Sequence, residues 1–327
     1  MINGKKIAAI VQARQGSSRL PGKATIDICG KPALQRVVER LRQAKTLDDV
    51  IVATTINEAD DAIVKLCEHL KCNYYRGDEE DVLERVWETT RMYEVDVIVE
   101  ITADCPLIDY NHVNHLVKLF CEGEYDHVSN VIERTFPRGY DIRVFSREAL
   151  ERTNAEVDNP IDRQHVSTWQ YLNPRGKQNY RCLNWPAPPG QNRPDIEVTL
   201  DTPEDLELIR WIFGFEAQGY SVDLTCQNVI NLLDTYPHML EKVKRIKRKD
   251  YFAELEQAYA ALNHIETAIL NGSGNGKEPV GILGALMPKK KGEKGSEKKN
   301  GSEVQRLSNR GRKPRSAGRS AGKPKSK

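Results

Sequence analysis

A basic loop follows the first apolar run of the sequence, and its residue types suit the binding of several phosphate groups. The apolar run covers residues 7–11, and the loop extends to residue 23. Three cations lie in the loop, at Arg14, Arg19 and Lys23. Small or hydroxyl residues occupy positions between them: Gly16, Ser17, Ser18 and Gly22. Exposed backbone amides and fixed positive charge at the end of a strand are typical of a polyphosphate site.

The loop does not match the two best-known phosphate-binding motifs. A Walker A loop has four residues between its glycines and a Ser or Thr after its lysine. Here five residues separate Gly16 from Gly22, and Ala24 follows Lys23. The loop also lacks the Gly-x-Gly-x-x-Gly spacing of a dinucleotide-binding turn. The sequence therefore predicts a triphosphate site in a different fold.

Two aspartates follow other strand-like segments and are candidate magnesium ligands. Asp104 comes after the run at 95–101, and Asp201 comes after the alternating run at 196–200. Because ligands collect at the carboxyl ends of parallel strands, both carboxylates are expected beside the basic loop. Mg²⁺ takes one or two carboxylates together with phosphate oxygens of a substrate. Singly, each aspartate is better explained as a turn residue or a helix cap; together with the loop they favour a Mg²⁺–nucleoside triphosphate site.

The elements that would position these residues alternate between strand and helix over the first 130 residues. Strand-like apolar runs occur at 7–11, 50–54, 72–75, 95–101 and 125–131. Between them, apolar residues recur with the spacing of amphipathic helices at 34–41, 59–70, 82–87 and 113–120. This alternation predicts an α/β domain with a mainly parallel sheet.

The rest of the chain divides into segments of different character. The pattern loosens at 135–194, which we interpret as an inserted arm or lid with a possible dimer contact. An alternating strand at 196–200 leads into a helix that starts at Thr202 and Pro203, and helical patterns follow at 227–233 and 239–270. The predicted organisation is a catalytic domain at 1–235, a helical extension at 236–270 and a disordered basic tail at 271–327.

The net charge of +2 conceals two opposed parts of the chain. Residues 271–327 hold 16 Lys and Arg against 4 Asp and Glu, a net charge of +12, so the remaining residues carry −10. A polycationic tail without aromatic residues suits non-specific contact with a polyanion. No apolar stretch approaches the ~20 residues of a membrane span. The 7 scattered cysteines are typical of reduced thiols, which favours a cytoplasmic protein.

The basic loop resembles the signature of the sugar-acid cytidylyltransferases, the enzymes that make CMP-activated 3-deoxy-octulosonate and CMP-sialic acids. Its sequence is ARQGSSRLPGK at 13–23. Within that superfamily the chain is most similar to the spore-coat polysaccharide (SpsF-like) branch. The supporting segments follow in chain order: GDEEDVLER (77–85), ITADCPLID (101–109), SN (129–130), RTFPRGYD (134–141), RQHV (163–166) and LDTPEDL (200–206).

The resemblance implies a Rossmann-like nucleotide-diphospho-sugar transferase fold of the GT-A type and a Mg²⁺-dependent reaction. A sugar hydroxyl would attack the α-phosphorus of CTP, giving a CMP-sugar and pyrophosphate for surface polysaccharide synthesis. Arg14, Lys23, Asp104 and Asp201 would carry the catalysis, and both aspartates would hold Mg²⁺. The nucleotide would be bound by the loop and by the turn after the fourth strand: Ala13, Arg14, Gly16, Ser17, Ser18, Arg19, Lys23 and Thr102.

The resemblance also implies an acceptor site and a homodimer formed through the arm. The arm would close over the sugar, with these candidate residues: Arg138, Asp141, Arg163 and His165. An arginine can hold a sugar carboxylate with two parallel hydrogen bonds, whereas a structural role for His165 is nearly as well supported. The chain departs from the family pattern at Glu100, where a basic residue is common, and at Ala103, where Gly is common. Both departures are expected to affect base or sugar preference.

Two other functions stay open on the residues alone. A glycosyltransferase on a similar sheet would consume a nucleotide-sugar, but the triphosphate-like loop and the lack of an Asp-x-Asp pair at Asp104 argue against it. A non-catalytic polyanion-binding or scaffold protein would act through residues 271–327. The acceptor sugar is not disclosed by the sequence, and CTP as the nucleotide follows from the resemblance alone.

Overall fold

A sheet of parallel and antiparallel strands forms the centre of the described part of the chain. The computed structural model describes residues 1–172, 180–217, 223–244 and 246. The strands in chain order are β1 (Ile7–Gln12), β2 (Asp27–Ile28), β3 (Lys31–Pro32), β4 (Asp49–Thr55), β5 (Asn73–Gly77), β6 (Val97–Thr102), β7 (His127–Ser129), β8 (Arg143–Ser146) and β9 (Cys182–Asn184). The central sheet has the order β5-β4-β1-β6-β8-β7-β9, and β2 pairs with β3 in a small separate hairpin.

Beyond β6, strand β8 reverses the direction of the sheet, and β7 and β9 run in the original direction again. Strands β5, β4, β1 and β6 are parallel neighbours. Strand β8 runs antiparallel to both β6 and β7, and β9 is parallel to β7. The carboxyl ends of β1 and β6 therefore lie side by side, with Gln12 in register with Thr102. The loops that leave these two strands carry the basic residues and Asp104.

Helices cover both faces of the sheet. They are α1 (Ala33–Leu41), α2 (Asp61–Leu70), α3 (Val82–Met92), α4 (Tyr110–Glu122), α5 (Arg147–Glu156), α6 (Pro160–Gln164), α7 (Thr168–Leu172), α8 (Pro203–Ala217), α9 (Cys226–Thr235) and α10 (His238–Lys244). In β1, Ile7 and Val11 belong to the core with α1 and α4, whereas Ala8 and Ile10 belong to the core with α3 and α5. A parallel strand buried on both faces produces a continuous apolar run, which is why β1 was recognisable in the sequence.

A third apolar cluster joins the C-terminal helices to the hairpin. Ile28 of the hairpin packs in the same cluster as Ile209 of α8 and Val229 of α9. Residues Ile196, Val198 and Leu200 belong to this cluster and are almost completely buried. This cluster fixes the segment that precedes Asp201.

The α/β fold with a mainly parallel sheet is confirmed, and most elements of the first 130 residues lie where the pattern placed them. The predicted strand at 196–200 is wrong. The segment is extended but makes only one isolated bridge, between Glu197 and Arg138. Its alternation arises because every second side chain enters the third cluster, while its backbone bonds the loops at Arg138 and Asp104 instead of a neighbouring strand.

The segment 135–194 contributes more to the sheet than the expected inserted arm would. It contains β8 and β9, and α5 packs on the sheet through Ala149 and Leu150. A dimer contact by the remainder of this segment stays a prediction. Of the helical extension at 236–270, α10 is described, and the basic tail at 271–327 lies outside the described residues. Within the described part of the chain, no helix is long and apolar enough to cross a membrane.

Candidate active site

The basic loop is anchored at its base by buried polar contacts. The carboxylate of Asp60, which is 2 % exposed, accepts a hydrogen bond of 2.7 Å from the backbone amide of Gln15. The Gln15 carbonyl accepts from the Gly22 amide at 3.1 Å, and its side-chain amide donates to Thr25 at 2.8 Å. Gly22 has φ of +73°, a conformation that favours glycine, and it leads into the 3₁₀ turn Lys23–Thr25. The loop therefore presents Lys23 from a fixed backbone.

A backbone hydrogen bond brings the two candidate metal ligands together. The amide of Leu200 donates to the carbonyl of Asp104 at 2.8 Å, which places Asp201 beside the end of β6. Lys23 Nζ lies 2.8 Å from Asp104 Oδ2 and 2.8 Å from Asp201 Oδ1. The two carboxylate oxygens therefore lie within twice that distance of each other and converge on one cationic point. Arg19 adds a second contact to Asp201, at 3.2 Å.

Asp201 faces this point because another residue caps the helix that follows it. The carboxylate of Asp205 accepts from the backbone amides of Asp201 and Thr202, at 3.1 and 2.8 Å. The hydroxyl of Thr202 in turn accepts from the amide of Asp205 at 3.3 Å. This reciprocal pair satisfies the free amides at the start of α8. The Asp201 carboxylate is thus available for the site.

The pKa values of the convergent groups reflect opposing effects. Burial by itself would lower the pKa of Lys23, but the charges and hydrogen bonds of Asp104 and Asp201 outweigh it and raise that pKa. Burial would raise the pKa of Asp104, yet Lys23 and the hydroxyl of Thr102 hold it below the ordinary value. Thr102 Oγ1 donates to Asp104 Oδ1 at 2.5 Å. Lys23 and Asp104 are therefore both ionised at neutral pH.

Two cavities meet at these carboxylates. The first, which we term the loop cavity, has a volume of about 510 Å³. The basic loop and the end of β6 line it, through Ala13, Arg14, Gly16, Ser17, Ser18, Arg19, Lys23 and Thr102 among others. The second, which we term the arginine cavity, has a volume of about 640 Å³ and is lined by Arg134, Arg138 and Arg143. Residues that line both include Gln12, Asp104, His165 and Asp201.

Charges in the arginine cavity are largely compensated. Arg134 forms a bidentate pair with Asp141, with N···O distances of 2.9 and 2.7 Å. Arg143 lies opposite Glu100 in the register of β6 and β8, and each acts electrostatically on the other. Among the described residues, the Arg138 guanidinium has no hydrogen-bond or ion-pair partner, although its charge acts on Asp141 at longer range. Arg138 is thus the cation of this cavity left to meet an anion.

The structure places the candidate acceptor residues unevenly. Arg138, Asp141 and His165 line the arginine cavity. Arg163 lines neither cavity, because its guanidinium donates to the carboxylate of Asp81 at 2.8 Å and to the carbonyl of Val157 at 2.7 Å. Its position is structural, between α3 and the end of α5.

Several lining residues were not identified as site residues from the sequence. They are Gln12, Arg85, Arg134, Arg143 and Tyr171. Arg85 and Arg134 do lie inside segments that carry the family resemblance, so the motif contained a signal. Arg143 and Tyr171 gave none, because β8 and α7 have no recognisable periodicity. Glu100 stood out only as a departure from the family pattern.

The donor set fits a magnesium ion that is shared with a substrate. Among the described residues, no group of three or more His, Cys, Asp or Glu side chains is arranged to hold a metal alone. The carboxylates of Asp104 and Asp201 converge on one position, where the Lys23 ammonium lies in this structure. Mg²⁺ typically uses one or two carboxylates and completes its shell with phosphate oxygens and water.

Comparisons with known proteins agree with this geometry. Residues 8–253 match the profile of the protein family described as Cytidylyltransferase. The spore coat polysaccharide biosynthesis protein SpsF of Bacillus subtilis is 29% identical over 240 residues, covering 71% of this chain and 95% of SpsF. The 3-deoxy-manno-octulosonate cytidylyltransferase of Syntrophobacter fumaroxidans is 28% identical over 256 residues, covering 65% of this chain and 99% of its own.

A solved structure extends the similarity to three dimensions. The structure of a cytidylyltransferase from Leptospira borgpetersenii superimposes with a TM-score of 0.67 at 26% identity, covering 75% of this chain and 99% of that one. The family match spans both β1 with its basic loop and the segment that carries Asp201. From its sequence and its fold, this chain belongs to the cytidylyltransferase family.

Proposed function

We propose that this cytidylyltransferase transfers CMP from CTP to a hydroxyl of a sugar acid, with Mg²⁺, for surface polysaccharide synthesis. The observation that carries the proposal is the meeting of two cavities at Asp104 and Asp201. The names of the SpsF and 3-deoxy-manno-octulosonate relatives support the pathway and the class of acceptor.

The loop cavity suits the triphosphate. Arg14, Arg19 and Lys23 bring three cations to a loop whose glycines and serines leave backbone amides accessible. Arg14 is about half exposed, with a side-chain exposure of 47%, so a ligand can displace its weak 3.5 Å contact with Glu79. These cations stabilise the negative charge that develops on the leaving pyrophosphate.

The arginine cavity suits an acidic sugar. Since Arg134 is paired with Asp141 and Arg143 faces Glu100, the guanidinium of Arg138 is the group available for a carboxylate. Its planar fork can hold that carboxylate with two hydrogen bonds. The acceptor hydroxyl then lies toward the junction of the cavities.

The reaction joins the two substrates at that junction. The hydroxyl oxygen of the sugar forms a bond to the α-phosphorus, the bridging bond between the α- and β-phosphates breaks, and pyrophosphate leaves. The hydroxyl proton passes to solvent. A Mg²⁺ held by Asp104 and Asp201 would offset phosphate charge and orient the nucleotide. Lys23 and Arg19, which already contact these carboxylates, keep them in place and carry positive charge to the phosphates.

The test is pyrophosphate release with Mg²⁺, each ribonucleoside triphosphate in turn, and a panel of sugar acids, neutral sugars and sugar phosphates. Release that needs CTP and a sugar acid, and that Asp104→Ala and Asp201→Ala both abolish, is the expected result. Release with a sugar phosphate instead would overturn the acceptor class, and release with another triphosphate would overturn the base.

The other expectations from the sequence are separate proposals. Family membership disfavours the glycosyltransferase alternative, because release of pyrophosphate is the reaction of a nucleotidyltransferase. The homodimer and the cytoplasmic location stay predictions. Polyanion contact through 271–327 also stays a prediction, and removing these residues should abolish it while leaving nucleotidyl transfer intact.

A further inference from the structure

A row of polar side chains crosses one face of the sheet beneath the junction of the cavities. Glu100 of β6 is in register with Ile10 of β1 on one side and with Arg143 of β8 on the other. Gln12 lies two residues beyond Ile10, on the same face of β1. The neighbouring residues on this face, such as Ala8 and Ile10, are completely buried. Polar groups in such a place need a reason, because their burial is costly unless they are hydrogen-bonded.

Both oxygens of the Glu100 carboxylate are engaged. Glu100 is 3 % exposed, and its Oε1 accepts from Gln12 Nε2 at 2.9 Å. Its Oε2 accepts from the hydroxyl of Ser167. Burial raises the pKa of Glu100, while the charge of Arg143 and these two hydrogen bonds favour the ionised carboxylate. Glu100 Oε1 can accept the bond from Gln12 in either protonation state.

This contact fixes the direction of the Gln12 amide. Because Glu100 Oε1 accepts the bond, the nitrogen of the Gln12 amide faces Glu100. The amide oxygen then points away from Glu100, and among the described residues it has no hydrogen-bond partner. Since Gln12 lines both cavities together with Asp104 and Asp201, a fixed, unused acceptor stands at their junction. The complementary substrate group is a hydroxyl.

We propose that Gln12 Oε1 accepts a hydrogen bond from the attacking hydroxyl of the acceptor, and that Glu100 is the positioning residue that aims it. The contact orients the hydroxyl so that an oxygen lone pair faces the α-phosphorus. Glu100 lines the arginine cavity but not the loop cavity, so the pair reaches the junction from the acceptor's side. The inference rests on the proposed function, since it assigns a residue to the acceptor.

Three variants and one matched control separate this role from a structural one. Gln12→Met removes the acceptor oxygen, and Glu100→Gln keeps the shape but lets two amides pair in either direction. The exchange variant Gln12→Glu with Glu100→Gln restores a fixed donor–acceptor pair and again presents an oxygen to the junction. Gln170→Met is the control, because Gln170 is also buried and hydrogen-bonded, to His127 and Thr153, but lines neither cavity.

The first readout uses the free protein and needs no acceptor. In a ¹⁵N spectrum, the side-chain amide of Gln12, assigned by its loss in Gln12→Met, is expected to be shifted and protected from exchange in the wild type. In Glu100→Gln that signal should lose its protection. An unchanged signal in Glu100→Gln would overturn the positioning role.

The second readout is kinetic, with the acceptor that the wild type uses best. Gln12→Met is expected to raise the acceptor KM about tenfold, the effect of one lost hydrogen bond, with an unchanged Kd for CTP by calorimetry. The exchange variant should recover at least half of that loss on a logarithmic scale, and Gln170→Met should alter stability alone. An unchanged acceptor KM in Gln12→Met would overturn the inference. So would a Kd for CTP that rises as much as the acceptor KM. If the wild type uses no sugar acid, the proposed acceptor class is wrong, and the same kinetic test is made with whichever acceptor the protein does use. If it uses no acceptor at all, the ¹⁵N spectrum alone tests the positioning role of Glu100.

Discussion

The loop cavity and the arginine cavity meet at the same two carboxylates, but they are built in opposite ways. Three of the four Lys and Arg residues that line the loop cavity come from one continuous segment, residues 13–23. The arginine cavity takes Arg134 and Arg138 from the segment after β7 and Arg143 from β8. In the loop cavity, Arg19 and Lys23 contact the two aspartates that both cavities share, whereas in the arginine cavity Arg134 and Arg143 face carboxylates that line that cavity alone.

The difference suggests what each cavity must recognise. A triphosphate carries several negative charges in every reaction, so a cluster of cations serves it whatever else varies. An acceptor differs between members of a family, and its cavity needs selective contacts more than charge. Cations that are already paired with carboxylates attract an unsuitable anion only weakly, and the pairs fix the shape of the cavity wall. Arg138 then supplies one charge, and Gln12 one neutral contact.

The largest expected effect that tests this contrast is in Lys23→Met. Lys23 contacts both Asp104 and Asp201, so its loss removes a charge from the proposed triphosphate site and leaves two carboxylates without this partner. We expect kcat/KM for CTP to fall about 10²–10³-fold, while the acceptor KM changes less than about twofold. Without nucleotide, Mn²⁺ should bind more tightly than in the wild type, because no ammonium competes for the carboxylates.

Steady-state kinetics and titration of Mn²⁺ by electron paramagnetic resonance measure these quantities. Lys65→Met, at an exposed position of α2, is the matched control. An acceptor KM that rises as much as the KM for CTP would show that the two cavities do not act separately.

The same contrast explains how much of the molecule the sequence disclosed. Strands β1, β4 and β6 are buried on both faces, so their apolar runs were recognisable. Strands β8 and β9 have four and three residues and mix polar with apolar side chains, so no period identified them. Such short strands obtain their place from the neighbours they pair with.

The residues of the candidate site likewise divide into those that the sequence identified and those that only the fold brings to the site. The loop and Asp104 were identified because strand, loop and carboxylate are adjacent in the sequence. The pairing of Arg143 with Glu100 depends on β8 inserting beside β6, which only the sheet order determines. Arg163 was placed at the acceptor because it belongs to a motif, but the motif does not say that Asp81 and Val157 occupy its guanidinium.

Arg138→Met tests the other side of the contrast. If Arg138 is the free cation of the arginine cavity, its loss removes a charge-assisted contact worth about 1.5–3 kcal/mol, or roughly 10–100-fold in the acceptor KM. The KM for CTP should stay within about twofold, and a neutral analogue of the acceptor should be affected far less than the acid. Arg91→Met, on the exposed face of α3, controls for the loss of an arginine. Equal effects on acid and neutral acceptors would contradict the assignment.

Arg163→Met should change stability and leave the kinetics almost unaltered. Its guanidinium donates to Asp81, to Val157 and, at 2.8 Å, to the side chain of Asn154. Loss of these contacts leaves partly buried acceptors unsatisfied, and we expect the free energy of unfolding in urea to fall by about 2 kcal/mol. The acceptor KM should match that of Arg91→Met. A raised acceptor KM with unchanged stability would return Arg163 to the acceptor site and weaken the contrast between the cavities.

The smallest expected effect concerns His165, which lines both cavities. Burial, reinforced by the charge of Arg143, lowers the pKa of His165 from 6.5 to about 4. Its imidazole is therefore neutral between about pH 5 and pH 8, so His165 adds no charge to the arginine cavity over this range. The pH profiles of kcat/KM for wild type and His165→Asn should have the same shape.

The direction in which His165 changes stability with pH follows from the same lowered pKa. Because the folded protein disfavours the imidazolium, His165 makes stability fall as the pH drops from about 6.5 toward about 4, and His165→Asn should lessen that fall. Urea unfolding at several pH values measures it. An activity inflection near pH 6.5 that disappears in His165→Asn would mean that a titrating cation joins Arg138, and selectivity for acidic acceptors would then vary with pH.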